Sequence, residues 1–339
     1  MRLPKLARVR LEEHLSNLES HFKKASDFLV KCQIAEPYVC EGTLKGSVCP
    51  WEIGVADTHG LTILEDFHDT LEAIWVWTYY TKISNRNAYK QNIDMGWKYI
   101  TTNFERFIPS NGKTEGLYDC SQVLLAGSLY QTVFRDKRYY KWIKIAGERL
   151  VNRLLKIESP KGREYSDPWW MTHCLASAAT LLNNDKWLEI AKKFVEKNIL
   201  ERKKRFYKID REPKHRGPGG HDFFSENANK ALALLSTFSQ EKAVKDIILN
   251  EFLPSLPGYF VKRDTDENAW NANLAAAIGK CYLFTGEEHF LHHYFIIMDE
   301  LRRRDHQNLS ALPRSENFPA RESWVTFFYA YAYASVVPD

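Results

Sequence analysis

The sequence lacks most of the features that would assign its 339 residues at a glance. No run approaches the roughly 18–20 apolar residues of a membrane-crossing helix. The N-terminus, MRLPKLARVRLEEHL, is basic but has no apolar core of a secretory signal. The six cysteines (Cys32, Cys40, Cys49, Cys120, Cys174, Cys281) form no CxxC pair and no regular framework, which argues against a disulfide scaffold. They read as small buried residues in a reducing cytosol, although Cys40 and Cys49 bracket a loop and are spaced to pair. An excess of one charge is missing too: 47 Lys and Arg against 43 Asp and Glu leave only +4, which implies no nucleic-acid partner. The expectation is a cytoplasmic globular protein with no membrane span, nucleic acid, metal or cofactor.

Aromatic residues are abundant: 10 Trp, 17 Tyr and 19 Phe make up 14% of the chain. They pack helices, and they also line sugar-stacking clefts and apolar ligand cavities. The most organised stretch is 65–80, EDFHDTLEAIWVWTYY. Asp66 and Asp69, three residues apart, share one helix face. Behind them Leu71, Ile74, Trp75, Val76, Trp77 and Tyr79 leave almost no polar side, the pattern of an interior helix.

That design recurs. Helices apolar all round are expected at 65–82, 121–134, 171–182, 228–238, 271–284 and 323–337. One-sided, charged helices follow at 88–107, 139–156, 186–199, 242–253 and 288–304, after short turns such as SNRN, RDKR, NNDK and TGEE. The apolar helices begin near 65, 121, 169, 223, 268 and 322, a period of helix pairs that signals a repeat architecture. Six inner helices and five outer ones leave the amphipathic helix 10–33 as the sixth outer partner. The fold expected is all-α: an (α/α)6 toroid of six hairpins, closed by pairing the N-terminal with the C-terminal helix. It would be one domain over 1–339, with 34–63 irregular. An open helical solenoid is the alternative, but it gives no reason to bury one helix of each pair completely.

Each inner helix starts beside an acid and usually an aromatic. These are Asp66 and Asp69; Tyr118 and Asp119; Asp167, Trp169 and Trp170; His221, Asp222 and Glu226; Asp266, Glu267 and Trp270; and Arg321, Glu322 and Trp324. Helix capping accounts for acids at such positions, but it does not call for the Trp and Tyr. In a toroid these starts converge on one mouth. Carboxylates that accept hydroxyl hydrogen bonds, beside rings that stack on apolar sugar faces, suit a polyhydroxylated ligand. Paired carboxylates are also the usual equipment for cleaving a glycosidic bond. Asp66, Asp69, Asp119 and Asp222 are the candidates for such a pair, with the tryptophans stacking and Arg321 meeting a substrate carboxylate.

The repeats, with turns such as Phe284-Thr285-Gly286-Glu287-Glu288, resemble the six-hairpin glycosidase superfamily over residues 65–337. Gly116-Leu117-Tyr118-Asp119-Cys120-Ser121-Gln122 is faintly similar to the catalytic-aspartate segment of unsaturated glucuronyl and rhamnogalacturonyl hydrolases. The resemblance implies that Asp119 is a general acid and base acting on an unsaturated uronide, with Asp66 or Asp69 as the second acid one repeat earlier, and makes Asp119 the first choice for proton donor. The small and Met residues usual after that aspartate are missing.

Other readings stay open. Asp66-x-x-Asp69 and the run from Asp222 through Ser225 to Asn229 partly resemble the diphosphate motifs of terpene synthases, which makes an isoprenoid cyclase or synthase the alternative. His59, His68, His173 and His221 lie near inner-helix starts, and sugar epimerases on this toroid use histidine pairs. A non-catalytic binding or scaffold toroid is the third possibility. Residues 201–220 carry eight Lys and Arg against three acids and end in Gly-Pro-Gly-Gly, which suits a solvated loop or a lid attracting an anionic substrate.

Overall fold

A computed structural model describes residues 3–34, 45–52, 65–109, 116–157, 168–202, 205–206, 223–239, 241–256, 267–315 and 320–338. In chain order the helices are α1 (Leu3–Ser16), α2 (Leu18–Cys32), α3 (Phe67–Ser84), α4 (Lys90–Phe107), α5 (Leu117–Phe134), α6 (Tyr140–Lys156) and α7 (Pro168–Leu182). They continue with α8 (Asp185–Val195), α9 (Phe223–Thr237), α10 (Lys242–Ile247), α11 (Glu267–Thr285), α12 (Glu288–Arg304) and α13 (Ser323–Ala334). Both α8 and α10 run on into a π-helical turn, at Glu196–Leu200 and Ile248–Phe252.

The apolar helices α3, α5, α7, α9, α11 and α13 pack each against the next, and α13 packs back against α3. Burial on every side explains their composition. In α3 each residue from Phe67 to Thr81 except His68 is buried, including the polar Asp69 and Glu72. The outer helices bury one stripe: in α4, Ile93, Gly96, Trp97, Tyr99, Ile100, Asn103 and Phe104 face inward. Each fully buried aromatic or large aliphatic side chain contributes roughly 1.5–3 kcal/mol, so the two layers hold together mainly through this shared core. The inner helices start earlier than the apolar runs read from the sequence, at Leu117 and Pro168 for example.

Two details repeat with the hairpins. The turns after α3, α5, α7 and α11 carry a left-handed residue at the same place: Asn85, Arg135, Asn183 and Gly286. Neighbouring outer helices α6 and α8 meet closely at Gly147, where a Cβ would lie 2.3 Å from the Trp187 ring.

The single N-terminal helix expected over 10–33 is two helices, with Asn17 between them. A backbone turn there lets α1 lie against α12 while α2 packs against α3 and α13. Of the stretch read as irregular, 45–52 is largely buried and forms no sheet. Isolated bridge pairs join Gln33 to Val48, Val48 to Asp66 and Trp51 to Glu322. Ser323 donates its N–H to the Pro50 carbonyl (2.7 Å), and Val48 donates to the Thr70 hydroxyl (2.8 Å). This segment therefore clamps the starts of α3 and α13 together. No helix among the described residues is long and apolar enough to cross a membrane.

Candidate active site

The starts of α3 and α5 lie side by side and carry the acids. Asp66 is the N-cap of α3, its carboxylate accepting the Asp69 N–H at 3.2 Å, so the capping role expected of these acids is real there. Asp66, Asp69 and Glu72 follow at three-residue steps and form one stripe. Tyr118, Asp119 and Gln122 face them from α5. His68 sits between: its Nδ1 lies 3.1 Å from Asp66 and 3.5 Å from Asp119, and its Nε2 lies 3.3 Å from Asp69. Deeper in, the Glu72 carboxylate accepts from the Tyr118 hydroxyl (2.8 Å) and the Gln122 amide (2.9 Å). The Ser323 hydroxyl donates to Asp69, tying α13 to the same cluster.

Four carboxyl groups in so small a volume cannot all ionise. Burial, reinforced by the charge of Asp66, pushes Asp69 up to about 8, against the opposing pull of His68 and Ser323. Burial, then Asp69, raises Glu72 well above the carboxylate range. Burial also raises Asp66, with His68 opposing. For His68 desolvation works against the charged ring, but Asp66, Asp119, Asp69 and Glu72 outweigh it and raise its pKa well above the usual value. Its side chain keeps 38% exposure, so water screens part of this attraction. The cluster thus holds protons at neutral pH while keeping negative charge beside them. Asp66, His68 and Asp69 also offer three ligand atoms within 4.8 Å of one another.

An aromatic wall adjoins the acids. Trp324, one residue after Ser323, meets Trp270 edge to face at 6.1 Å, and Phe328 packs against both. Both tryptophans are half-buried. The Trp324 ring N–H donates to Glu322, which is fully buried and paired with Arg314 at 2.9 Å. Glu322 therefore braces the wall from behind. Trp170 is buried beside Phe328 and Tyr331. Trp169 turns the other way, onto Phe194 of the outer layer. Glu226 is taken up by Lys230 at 2.7 Å. Arg321 is half-buried next to the bridge pairing it with Pro313. His173 lies under Trp170 with its two nitrogens 2.5 Å from Ser236 and Tyr331; burial, helped by Lys280, pushes it down to about 3, so it stays neutral.

Asp167, His221, Asp222, Asp266, His59 and nearly all of the basic stretch 201–220 lie outside the described residues, as does the side chain of Glu267. Asn229, which ended the diphosphate-type run, is buried and accepts a hydrogen bond from Asn273. Sequence reasoning missed Glu72, Gln122 and Ser323, and it did not see His68 as the hub. The signal for Glu72 was present: a single acid inside an apolar helix, three residues after Asp69.

This ring is an (α/α)6 toroid, the fold it shares with solved structures. Among solved structures, the chain is similar to an unsaturated glucuronyl hydrolase specific for heparin, at TM-score 0.66 and 14% identity over 95% of this chain and 97% of that one. It is similar to a D-mannose isomerase at TM-score 0.65 and 16% identity, over 95% and 98%. The GH76A alpha-1,6-mannanase of Salegentibacter sp. HEL1_6 matches at TM-score 0.64 and 10% identity, over 94% and 98%. A variant of that mannanase, inactivated by replacing two adjacent aspartates, was solved with alpha-1,6-mannotriose. No family model matches the sequence, and no curated protein matches it.

Proposed function

We propose that the chain is a carbohydrate-active enzyme, a glycoside hydrolase that cleaves a short saccharide, including an acidic one, at the mouth of the toroid. The observation that carries this is the placing of Asp66 and Asp119, from two different helices, on one nitrogen of His68 beside an aromatic wall. These two acids are the members of the cluster with open side-chain surface, 25% and 17%, whereas Asp69 is sealed at 1%.

Hydrolysis needs one group to protonate the glycosidic oxygen and another to activate water or attack the sugar. Asp119 gives its proton to the glycosidic oxygen as the C–O bond breaks, Asp66 takes a proton from the water that attacks the anomeric carbon, and passage of that proton back to Asp119 by way of His68 restores the pair. His68 holds both carboxylates and shares their protons. Asp69, protonated at neutral pH, limits the negative charge behind them, and Glu72 is fixed by Tyr118 and Gln122. Trp324 and Trp270 stack on the sugar, and Arg321 receives the carboxylate of an acidic one. The solved hydrolases of the same fold support this reading.

The test is reducing-sugar release from a panel of neutral, uronate and unsaturated oligosaccharides. Asp119→Asn and Asp66→Asn should each lower turnover about 10²-fold or more, the contribution of a positioned acid or base. Full turnover in both variants would sink the assignment. A second reading, a sugar isomerase, is favoured by the central place of His68 and by the similar mannose isomerase; isomerised monosaccharide without chain cleavage in the same assay would select it.

A further inference from the structure

Away from the mouth, α1, α2, α12, α13 and the turn after α12 line an open cavity of about 360 Å³. Its lining includes a three-ring stack. His14 and His21 lie on opposite faces of Tyr333, each 3.7 Å from it and within 17° of parallel. His14 donates from Nε2 to the Tyr333 carbonyl (3.0 Å) and accepts at Nδ1 from Arg302 (2.8 Å), which fixes one neutral tautomer. His21 is more than nine-tenths buried, yet its Nε2 has no hydrogen-bond partner among the described residues.

Basic side chains gather around this stack. Lys24 and Arg302 both lie close enough to His21 to add to the burial that lowers its basicity. Lys24 has no ion-pair partner among the described residues. Of the carboxylates in the wall, Asp305 is occupied by the N–H groups of Leu309 (3.0 Å) and Ser310 (2.7 Å). Arg10 and Arg302 (3.2 Å) share Asp299, and Arg10 also lies over Phe295. Among the described residues lining the cavity, Glu13 is the acid left to oppose Lys24. The volume falls within the range of small-molecule sites and exceeds what a bare anion fills. The rest of the wall, from Asn17 and Ser20 to Asn308 and Ser310, offers partners for hydroxyl groups.

We propose that this cavity, where Lys24 and Arg302 converge on the His14–Tyr333–His21 stack, is a second ligand site that binds an anionic monosaccharide. The anionic group meets Lys24 and Arg302, and the hydroxyls meet the polar wall. Because the wall joins the first two helices to the last two, such a ligand ties the closure of the ring. The site is independent of the mouth: none of its lining residues belongs to the acid cluster.

The experiment is isothermal titration of the full chain with four separate probes: a hexose 6-phosphate, a hexuronate, the neutral hexose and inorganic phosphate. Wild type, Lys24→Gln, His21→Phe and Asp119→Asn are compared, His21→Phe keeping the stacked ring without its nitrogen. The site is supported if the hexose phosphate or the hexuronate binds one to one and Asp119→Asn binds it equally. Lys24→Gln should then weaken binding on the order of tenfold, the worth of one charged hydrogen bond. The phosphate and uronate arms decide which anion is preferred. The proposal is overturned if neither anionic sugar binds, if the neutral hexose binds as well, or if Asp119→Asn abolishes binding that Lys24→Gln leaves intact.

Discussion

Replacing Asp69 by Asn isolates the electrostatic strain of the acid cluster. In the folded chain burial and Asp66 raise this carboxyl from 3.8 to about 8, so the folded state binds its proton more tightly than the unfolded state does. Stability from this group is therefore complete below about pH 4, falls as pH rises, and has been lost once pH passes about 8. At about 1.4 kcal/mol per unit the ceiling is roughly 6 kcal/mol. Relaxation and water entry at charged sites reduce such values, leaving on the order of 2–3 kcal/mol. Asn keeps an acceptor for Ser323 and carries no charge at any pH. Urea unfolding midpoints at pH 5, 7 and 9 read the effect: wild type should lose stability steadily across this range, and Asp69→Asn should lose less, with the gap widest at pH 9. Parallel profiles for the two proteins would refute the reasoning, because Asp69 would then titrate alike folded and unfolded.

Gly147→Ala should destabilise the chain by about 1–3 kcal/mol, because a rigid Trp187 ring occupies the place of the new methyl; an unchanged urea midpoint would contradict the close contact of α6 and α8. Trp324→Ala should weaken saccharide binding about 2- to 10-fold, the worth of one aromatic stack, and calorimetry with the preferred oligosaccharide checks this.

The toroid was legible because burial leaves a strong mark. Helices packed on all sides lose their polar face, and the spacing of those runs revealed the hairpins. The N-terminal break was not legible, since Asn17 interrupts no apolar period strongly enough to show. The site was legible as a set of acids at helix starts, and only in part as an arrangement. Asp66, Asp69 and Asp119 do come together because α3 and α5 are neighbours. Adjacent tryptophans of one helix diverge, however: Trp170 enters the ring and Trp169 faces the outer layer, a choice made by helix rotation that two consecutive letters do not encode. Glu322 looks like a mouth acid in sequence, yet Arg314 and Trp324 consume it as a brace. The roles of His68 and Ser323 depend on contacts between helices, which no local pattern displays.

The most direct test of the central claim, that the mouth binds and cleaves saccharides, is a thermal-shift screen with two ligand sets on wild type and Trp324→Ala. One set holds neutral and acidic oligosaccharides, and the other holds prenyl diphosphates with magnesium. The expected result is a rise in melting temperature with an oligosaccharide, diminished in Trp324→Ala. A rise with a prenyl diphosphate and magnesium alone would contradict the account and move the chemistry to isoprenoids.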